Sequence, residues 1–307
     1  MKNMRNILVG IDFSAPSDNA LREAARIAKW DHAKLTAVNV FDEETVHELA
    51  VHAPGIRDEI MAEAGGRIDA YVENVLGADH GVRSQLIVGK PLQAVIRAVS
   101  EYHADLLVLG SHGRDSSDDH QIGHLASRWA RKVPVNTLLV RERQIGRFRK
   151  VVACIDFSQN SAKAAAQAVH LCQQDQAELV FLHVHRPLTE RLSSAGFFTA
   201  VGPEVLGRDA DDLDAERIRQ TLLDSAKSLV AQSGGCEFST EVIMRLDARR
   251  AILEYLQESN ADLVVLGTRG HTRLRNLLLG ATAERVIHRA SCSVLVVKPD
   301  GFDYELS

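Results

Sequence analysis

The chain's pattern predicts a doubly wound α/β fold present twice, and three observations predict it. Ile11-Asp12-Phe13-Ser14 recurs unchanged 144 positions later as Ile155-Asp156-Phe157-Ser158. The ten residues from Ala104 to Gly113 recur from Ala261 to Gly270, 157 positions on, with seven identities. Within each copy, short apolar runs alternate with segments of helical period. Repeats this long are whole domains, and 307 residues suit two of them, each burying its own core. The boundary is expected in the basic stretch Arg141–Lys150, giving domains 1–145 and 146–307. The larger second shift adds 13 residues to the second copy, expected at about 186–213, where Phe197-Phe198, several glycines and an acidic run occur.

The elements follow in order. In the first copy, apolar runs predict strands at 6–11, 34–40, 84–88, 105–110 and 136–140. Helical segments are expected at about 17–30, 56–77, 91–103 and 122–132. Ala20, Leu21, Ala24, Ala25, Ile27 and Ala28 form one apolar stripe with the period of a helix. The second copy repeats the order, with strands near 150–155, 178–184, 239–244, 262–267 and 293–297. Strands 105–110 and 262–267 are apolar without alternation, as in a parallel strand covered on both faces. Alternating strands and helices imply right-handed crossovers, with helices on both faces of a parallel sheet. Ligands then sit beyond the carboxyl ends of the strands, where strand order reverses.

Composition narrows the function classes. With 36 Lys+Arg against 41 Asp+Glu the formal charge is −5, which supplies no electrostatic warrant for nucleic acid or an anionic membrane. No apolar run reaches the roughly 20 residues of a membrane span. Met1-Lys2-Asn3-Met4-Arg5 leads straight into Ile7-Leu8-Val9, so the expected location is cytoplasmic. Cys154, Cys172, Cys236 and Cys292 all fall in the second copy without CxxC spacing, which reads as free thiols rather than a disulfide framework.

Two features occupy the carboxyl edge in both copies. One is the Asp at the end of the first strand, Asp12 and Asp156. It either starts the turn into the next helix or accepts a hydrogen bond from a ligand hydroxyl or ammonium. The other is a glycine pattern after the fourth strand. The second copy has Gly267-Thr268-Arg269-Gly270, nine residues, then Gly280-Ala281-Thr282 opening a helix; the first has Gly110-Ser-His-Gly113, nine residues, then Gly123-His124-Leu125. Glycines let main-chain N–H groups converge on phosphate oxygens, and a helix start adds its own amides and dipole.

This G-x2-G-x9-G pattern, with Asp ending strand one, resembles the universal stress protein family over nearly the whole chain, twice. The stretch from Gly280 through Glu284 to Ile287 and the ending Cys292–Pro299 are most similar to its tandem, E-type members. The resemblance implies a Rossmann-like five-stranded parallel sheet per domain, stress-response function, ATP or AMP as ligand with Mg accompanying ATP, and an internal pseudo-dimer whose pairing edges would be strands 136–140 and 293–297, with a homodimer as a further expectation. By position, Asp156 would meet the adenosine side and Val184 would offer backbone atoms to adenine. Gly267, Gly270 and Gly280, with the amides of Ala281 and Thr282, would hold ribose and phosphates. Phe157, Ser158, Thr268 and Arg269 complete the expected site, and a protein partner of unknown identity is expected.

The copies depart from the family pattern differently. Ser or Thr is expected directly after the third glycine; the second copy has Ala281 with Thr282 one place later, and the first has His124. Arg114, Asp115, Asp118 and Asp119 make the first nine-residue loop net acidic, whereas Arg273 and Arg275 make the second basic. Conversely, Gly89-Lys90-Pro91 of the first copy is replaced by Leu246-Asp247-Ala248, and if that glycine gives room to adenine, Leu246 partly compromises the second site. The second copy is nonetheless the favoured nucleotide site. Asp118, Asp119, His120 and His124 read as a polar loop before a metal site, and His183 and His185 as packing or pocket lining. No Walker P-loop, nucleophile elbow or Cys–His pattern is present, so at most slow ATP hydrolysis is expected.

Overall fold

The computed structural model describes residues 4–52, 56–113, 122–141, 146–196, 209–268 and 280–302. It divides into two compact units, Met1–Gly146 with Cys292–Ser307 and Arg147–Ser291.

In the first unit the chain runs β1 (Asn6–Gly10), α1 (Ala15–Asp31), β2 (Lys34–Phe41), α2 (Glu43–His52), α3 (Ile56–Leu76), β3 (Arg83–Val88), α4 (Pro91–Glu101), β4 (Leu106–Gly110), α5 (His124–Lys132) and β5 (Asn136–Val140). The sheet order is β3-β2-β1-β4-β5, all parallel, followed by β10 (Ser293–Val297). Strand β10 lies antiparallel to β5, with Val294 opposite Leu139 and Val296 opposite Thr137. These are the two strands expected to pair. Lys298 then sends its ammonium to the carbonyls of Ala130 (2.7 Å) and Arg131 (2.9 Å), satisfying carbonyls at the carboxyl end of α5.

The second unit runs β6 (Lys150–Cys154), α6 (Gln159–Asp175), β7 (Glu178–His185), α7 (Leu188–Ser194), α8 (Ala210–Gln232), β8 (Phe238–Met244), α9 (Ala248–Glu258), β9 (Leu263–Gly267) and α10 (Ala281–Arg289). Its strands are parallel in the order β9-β6-β7-β8. In each unit the chain winds outward from the first strand and then returns to its other side. Strand order therefore reverses between β1 and β4, and between β6 and β9, opening a crevice at their carboxyl ends.

The expected α/β class and strand positions hold. Strands β4 and β9 are buried from Leu106 to Leu109 and from Leu263 to Leu266, as their unbroken apolar runs predict. The repeated Asp of Ala104-Asp105 and Ala261-Asp262 is structural. Asp105 accepts from the amides of Arg5 (2.7 Å) and Asn6 (3.1 Å), and Asp262 from those of Arg149 (2.7 Å) and Lys150 (3.0 Å). Helix α2 was not expected. Of the extra residues in the second copy, α7 and the start of α8 are described. Phe197 and Phe198 lie outside the described residues, as do Arg114, Asp115, Asp118, Asp119 and His120.

Candidate functional site

The site begins with the turn after the first strand. Phe157 sits at φ 61° and Phe13 at φ 63°, a left-handed conformation that is unfavourable for a bulky residue. The same outlier in both repeats reverses the backbone so that a serine reaches the helix N-cap. Ser158 Oγ accepts from the Ser161 amide at 3.1 Å, and the Ser158 amide donates to Asp156 Oδ1 at 3.0 Å. In the first repeat Ser14 caps α1 by the same bond to the Ser17 amide, and both its amide (3.1 Å) and its hydroxyl donate to Asp12 Oδ1. One carboxylate oxygen thus makes the turn, which was the structural reading of this Asp. Asp156 and Asp12 also line a cavity in their own unit, so the two readings are compatible.

In the second unit that cavity measures about 380 Å³. Its floor is the end of β6 and β7, its sides the end of β9 and the start of α9, and its far wall the start of α10. Of the expected site residues, Asp156, Val184, Gly267, Thr268, Gly280, Ala281 and Thr282 are brought together around it. Phe157 and Ser158 stand behind the wall, in the turn and cap just described. Arg269 and Gly270 lie outside the described residues.

The glycines have different reasons. A Cβ on Gly267 would stand 2.6 Å from Asn160 Nδ2 and 3.2 Å from the Asn160 carbonyl carbon, so this glycine lets β9 end against the first turn of α6. Gly110 does the same against the Pro16 backbone at 2.9 Å. Gly280 is unlike them: its φ is −71°, and among the described residues a Cβ there would meet only the Thr268 carbonyl oxygen at 3.6 Å. It is the N-cap of α10 and brings no side chain to satisfy the helix's first amides. Those donors and the positive end of the helix dipole face the cavity. The Thr268 side chain is fully buried on the same wall, and its Oγ1 has no partner among the described residues. Displacing the hydroxyl from position 281 to Thr282 keeps it on the cavity wall.

His183, read from the sequence as packing or lining, does both. Its Nδ1–H donates to the Ile155 carbonyl at 2.7 Å, its ring lies 4.7 Å from the Phe157 ring, and its side chain lines the cavity. Nε2 lies 3.4 Å from His185 Nδ1, and His185 Nε2 lies 2.8 Å from Asp214 Oδ2, which also meets Arg191 at 2.9 Å. Burial holds the His183 pKa below its usual value. His185 adds to this, while the Ile155 carbonyl and Asp156 oppose it. Cys154 and Ile252 also line the cavity and were not expected. Their only sequence signal was a place at a strand end and in a helix first turn. Leu246, suspected of crowding the site, is 57% exposed and not part of the lining.

The first unit builds the same crevice smaller, at about 210 Å³. Trp129 stands where the second repeat has Val286, Leu125 where it has Thr282, and Asn39 where it has His183. Gly89 does not line it; a Cβ there would strike Arg97 Nη2 at 2.7 Å. Among the described residues no cluster of His, Cys, Asp or Glu forms a metal site, and no helix is long and apolar enough to cross a membrane.

Comparison with known proteins follows the repeat. The universal stress protein family model matches residues 3–141 and again 147–298. Universal stress protein E of Photorhabdus laumondii is 24% identical over 99% of this chain and 98% of its own. Universal stress protein YxiE of Bacillus subtilis is 30% identical over 49% of this chain and 99% of its own. The crystal structure of a universal stress protein from Archaeoglobus fulgidus shares the fold at a TM-score of 0.60, with 19% identity, covering 95% of this chain and 98% of that one.

Proposed function

Because the chain belongs to the universal stress protein family, we propose that it is a cytoplasmic stress-response regulator that binds ATP or AMP in the cavity of its second repeat. The observation that carries this reading is the pairing of opposites across one cavity. Asp156, an acceptor for ribose or amine donors, lies on one side; the uncapped amides of α10 at Ala281 and Thr282 lie on the other. A neutral sugar and an anion joined in one molecule answer both. The cavity's 380 Å³ falls within the range of about 300–1,000 Å³ usual for small-molecule sites, whereas 210 Å³ does not.

In this reading the backbone at Val184 meets adenine. Gly267 and Gly280 keep the backbone bare beside ribose and phosphate, and Arg269 with Gly270 completes the phosphate cradle. Mg2+ would arrive with ATP, held by phosphate oxygens and water, as that ion prefers. The bound nucleotide sets a surface that a protein partner reads.

Calorimetric titration with ATP tests the proposal. Wild type, freed of carried-over nucleotide, is expected to bind close to one equivalent, and Gly280→Glu to bind none. That variant places a carboxylate where phosphate would lie, and its thermal melt is expected to match wild type. Absence of heat from wild type would overturn the nucleotide reading and favour an interaction scaffold. Phosphate release that stops in Gly280→Glu would instead add slow ATPase activity to it.

A further inference from the structure

Two histidines join the second repeat's cavity to α7 and the start of α8, and their ring nitrogens form a row between two acceptors. At the cavity end His183 Nδ1 stands 2.7 Å from the Ile155 carbonyl; at the far end His185 Nε2 stands 2.8 Å from Asp214 Oδ2. Between them His183 Nε2 faces His185 Nδ1 at 3.4 Å. A carbonyl only accepts, so His183 Nδ1 carries a hydrogen. Asp214 also takes Arg191 Nη2 at 2.9 Å and Arg217 Nη2 at 3.3 Å. Facing these donors it acts as an acceptor, so His185 Nε2 carries a hydrogen too. Two neutral imidazoles have no hydrogen left, and the two middle nitrogens would then point lone pairs at each other. A third proton, on His185 Nδ1, turns that repulsion into a hydrogen bond to His183 Nε2. It also makes His185 an imidazolium facing the Asp214 carboxylate. The row closes with three protons, not two.

We propose that His183 and His185 form a proton-operated clasp that fastens α7 and the first turns of α8 to the wall of the second repeat's cavity. Asp214, 7% exposed near the start of α8, is its hub: it holds His185 of β7, Arg191 of α7 and Arg217 of its own helix. Thr189 ties α7 to α8 again, giving Asp211 its amide at 2.9 Å and its hydroxyl at 2.6 Å. With the third proton in place, a charge-assisted bond joins Asp214 to His185, and His185 is bonded on to His183 at the cavity wall. Without it the row opens in the middle, and the bond to Asp214 weakens to one from a neutral ring. The other charged neighbours leave this arrangement in place. Asp156 acts on His183 from the cavity side, Arg186 turns to Ser194 of α7, and Arg245 of β8 gives its amide to the His185 carbonyl. Burial holds the His183 pKa below its usual value, with His185 adding to this and the Ile155 carbonyl and Asp156 opposing, so the third proton goes to His185. In the first repeat Asn39 and Phe41 occupy the two positions, and neither titrates. The inference holds whether or not the cavity takes a nucleotide.

The test uses the full chain, free of nucleotide, and has two readouts. Long-range 1H–15N spectra of 15N-histidine protein report which ring nitrogens carry hydrogen. The two rings are assigned by the signals lost in His183→Asn and His185→Phe. On acidification His185 is expected to become the imidazolium first, while His183 stays neutral with its hydrogen on Nδ1. Hydrogen exchange of residues 188–196, taken as a ratio to α6 at each pH, follows the fastening itself. Protection of α7 is expected to fall roughly five- to tenfold between about pH 5.5 and 8, the scale of a charge-assisted bond reduced to a neutral one. His185→Phe, which copies Phe41, and Asp214→Asn are expected to leave α7 weakly protected at every pH, with thermal melts confirming that both variants fold. A first proton on His183, or two neutral rings at a pH where α7 is fully protected, would overturn the proposal. So would α7 protection that is constant with pH in wild type, or that follows the same pH curve in His185→Phe.

Discussion

The two cavities sit in the same frame and differ in what fills it. Both have an Asp and a left-handed Phe after the first strand, a Ser cap, a glycine letting the fourth strand meet the first helix, and a second-strand side chain tied to the carbonyl of residue 11 or 155. One holds 380 Å³ and the other 210 Å³. Among the matched lining residues the largest difference in side-chain size is Trp129 against Val286, on helices of equal length. Backbone devices that make the crevice are shared because the fold itself needs them. Side chains facing the crevice carry no such load and are free to diverge.

The strongest way to break the comparison is to exchange that pair. Val286→Trp is expected to abolish ATP binding in calorimetry, lowering affinity more than a hundredfold, while overpacking costs roughly 1–3 kcal/mol of stability. Trp129→Val is expected to enlarge the first cavity and to cost about 3 kcal/mol in denaturant unfolding, since the removed indole leaves a space the walls only partly close. Unchanged ATP affinity in Val286→Trp would mean that the two cavities differ for some other reason.

The glycines sharpen the comparison at smaller scale. Gly110→Ala places Cβ 2.9 Å from the Pro16 backbone, which cannot turn aside, so a loss of about 2–3 kcal/mol is expected. Gly267→Ala meets the Asn160 side chain first and is expected to cost about 1–2 kcal/mol. Gly280→Ala, with an ordinary φ and, among the described residues, only the Thr268 carbonyl oxygen at van der Waals distance, should stay within about 0.5 kcal/mol of wild type. Denaturant midpoints at constant slope would check the order. Equal losses at all three positions would show that Gly280 is packed as closely as the glycines that end the fourth strands, rather than standing as a bare helix start.

These particulars show what was legible in the sequence. Strand positions, the reversal point and the second repeat's cavity wall could be read because each rests on a pattern repeated in the chain. The glycine spacing located Gly280 and Thr282, but spacing could not tell a packing glycine such as Gly267 from an open one, since that depends on Asn160 approaching from another helix. Asp156 read as either a turn residue or a ligand acceptor, and the geometry gives one oxygen to the turn. Leu246 replaces Gly89 by position, yet neither residue lines its cavity, and Leu246, just past the end of β8, is exposed. Trp129 was invisible as a determinant because its place in the apolar stripe of α5 is that of any core residue. Its effect comes only from the volume it takes in the crevice.

The finest contrast is between Asn39 and His183, which hold the same backbone carbonyl by the same kind of bond, 2.8 Å in one repeat and 2.7 Å in the other. Only the histidine titrates. Burial lowers its pKa, with His185 acting in the same direction and the Ile155 carbonyl and Asp156 against it. Between the folded value and the ordinary value near 6.5, the unfolded chain therefore binds more protons than the folded one. Stability rises with pH across that window, is fully present above about 6.5, and is lost as pH falls through the folded value. His183→Asn copies the first repeat and removes this dependence while keeping an N–H for the Ile155 carbonyl. Melting temperatures between pH 5 and 8 are expected to fall less on acidification in His183→Asn than in wild type, with the two nearly equal at pH 8. Parallel curves would show that His183 accepts a proton in place as readily as it does in water, and that the two tethers differ in shape alone.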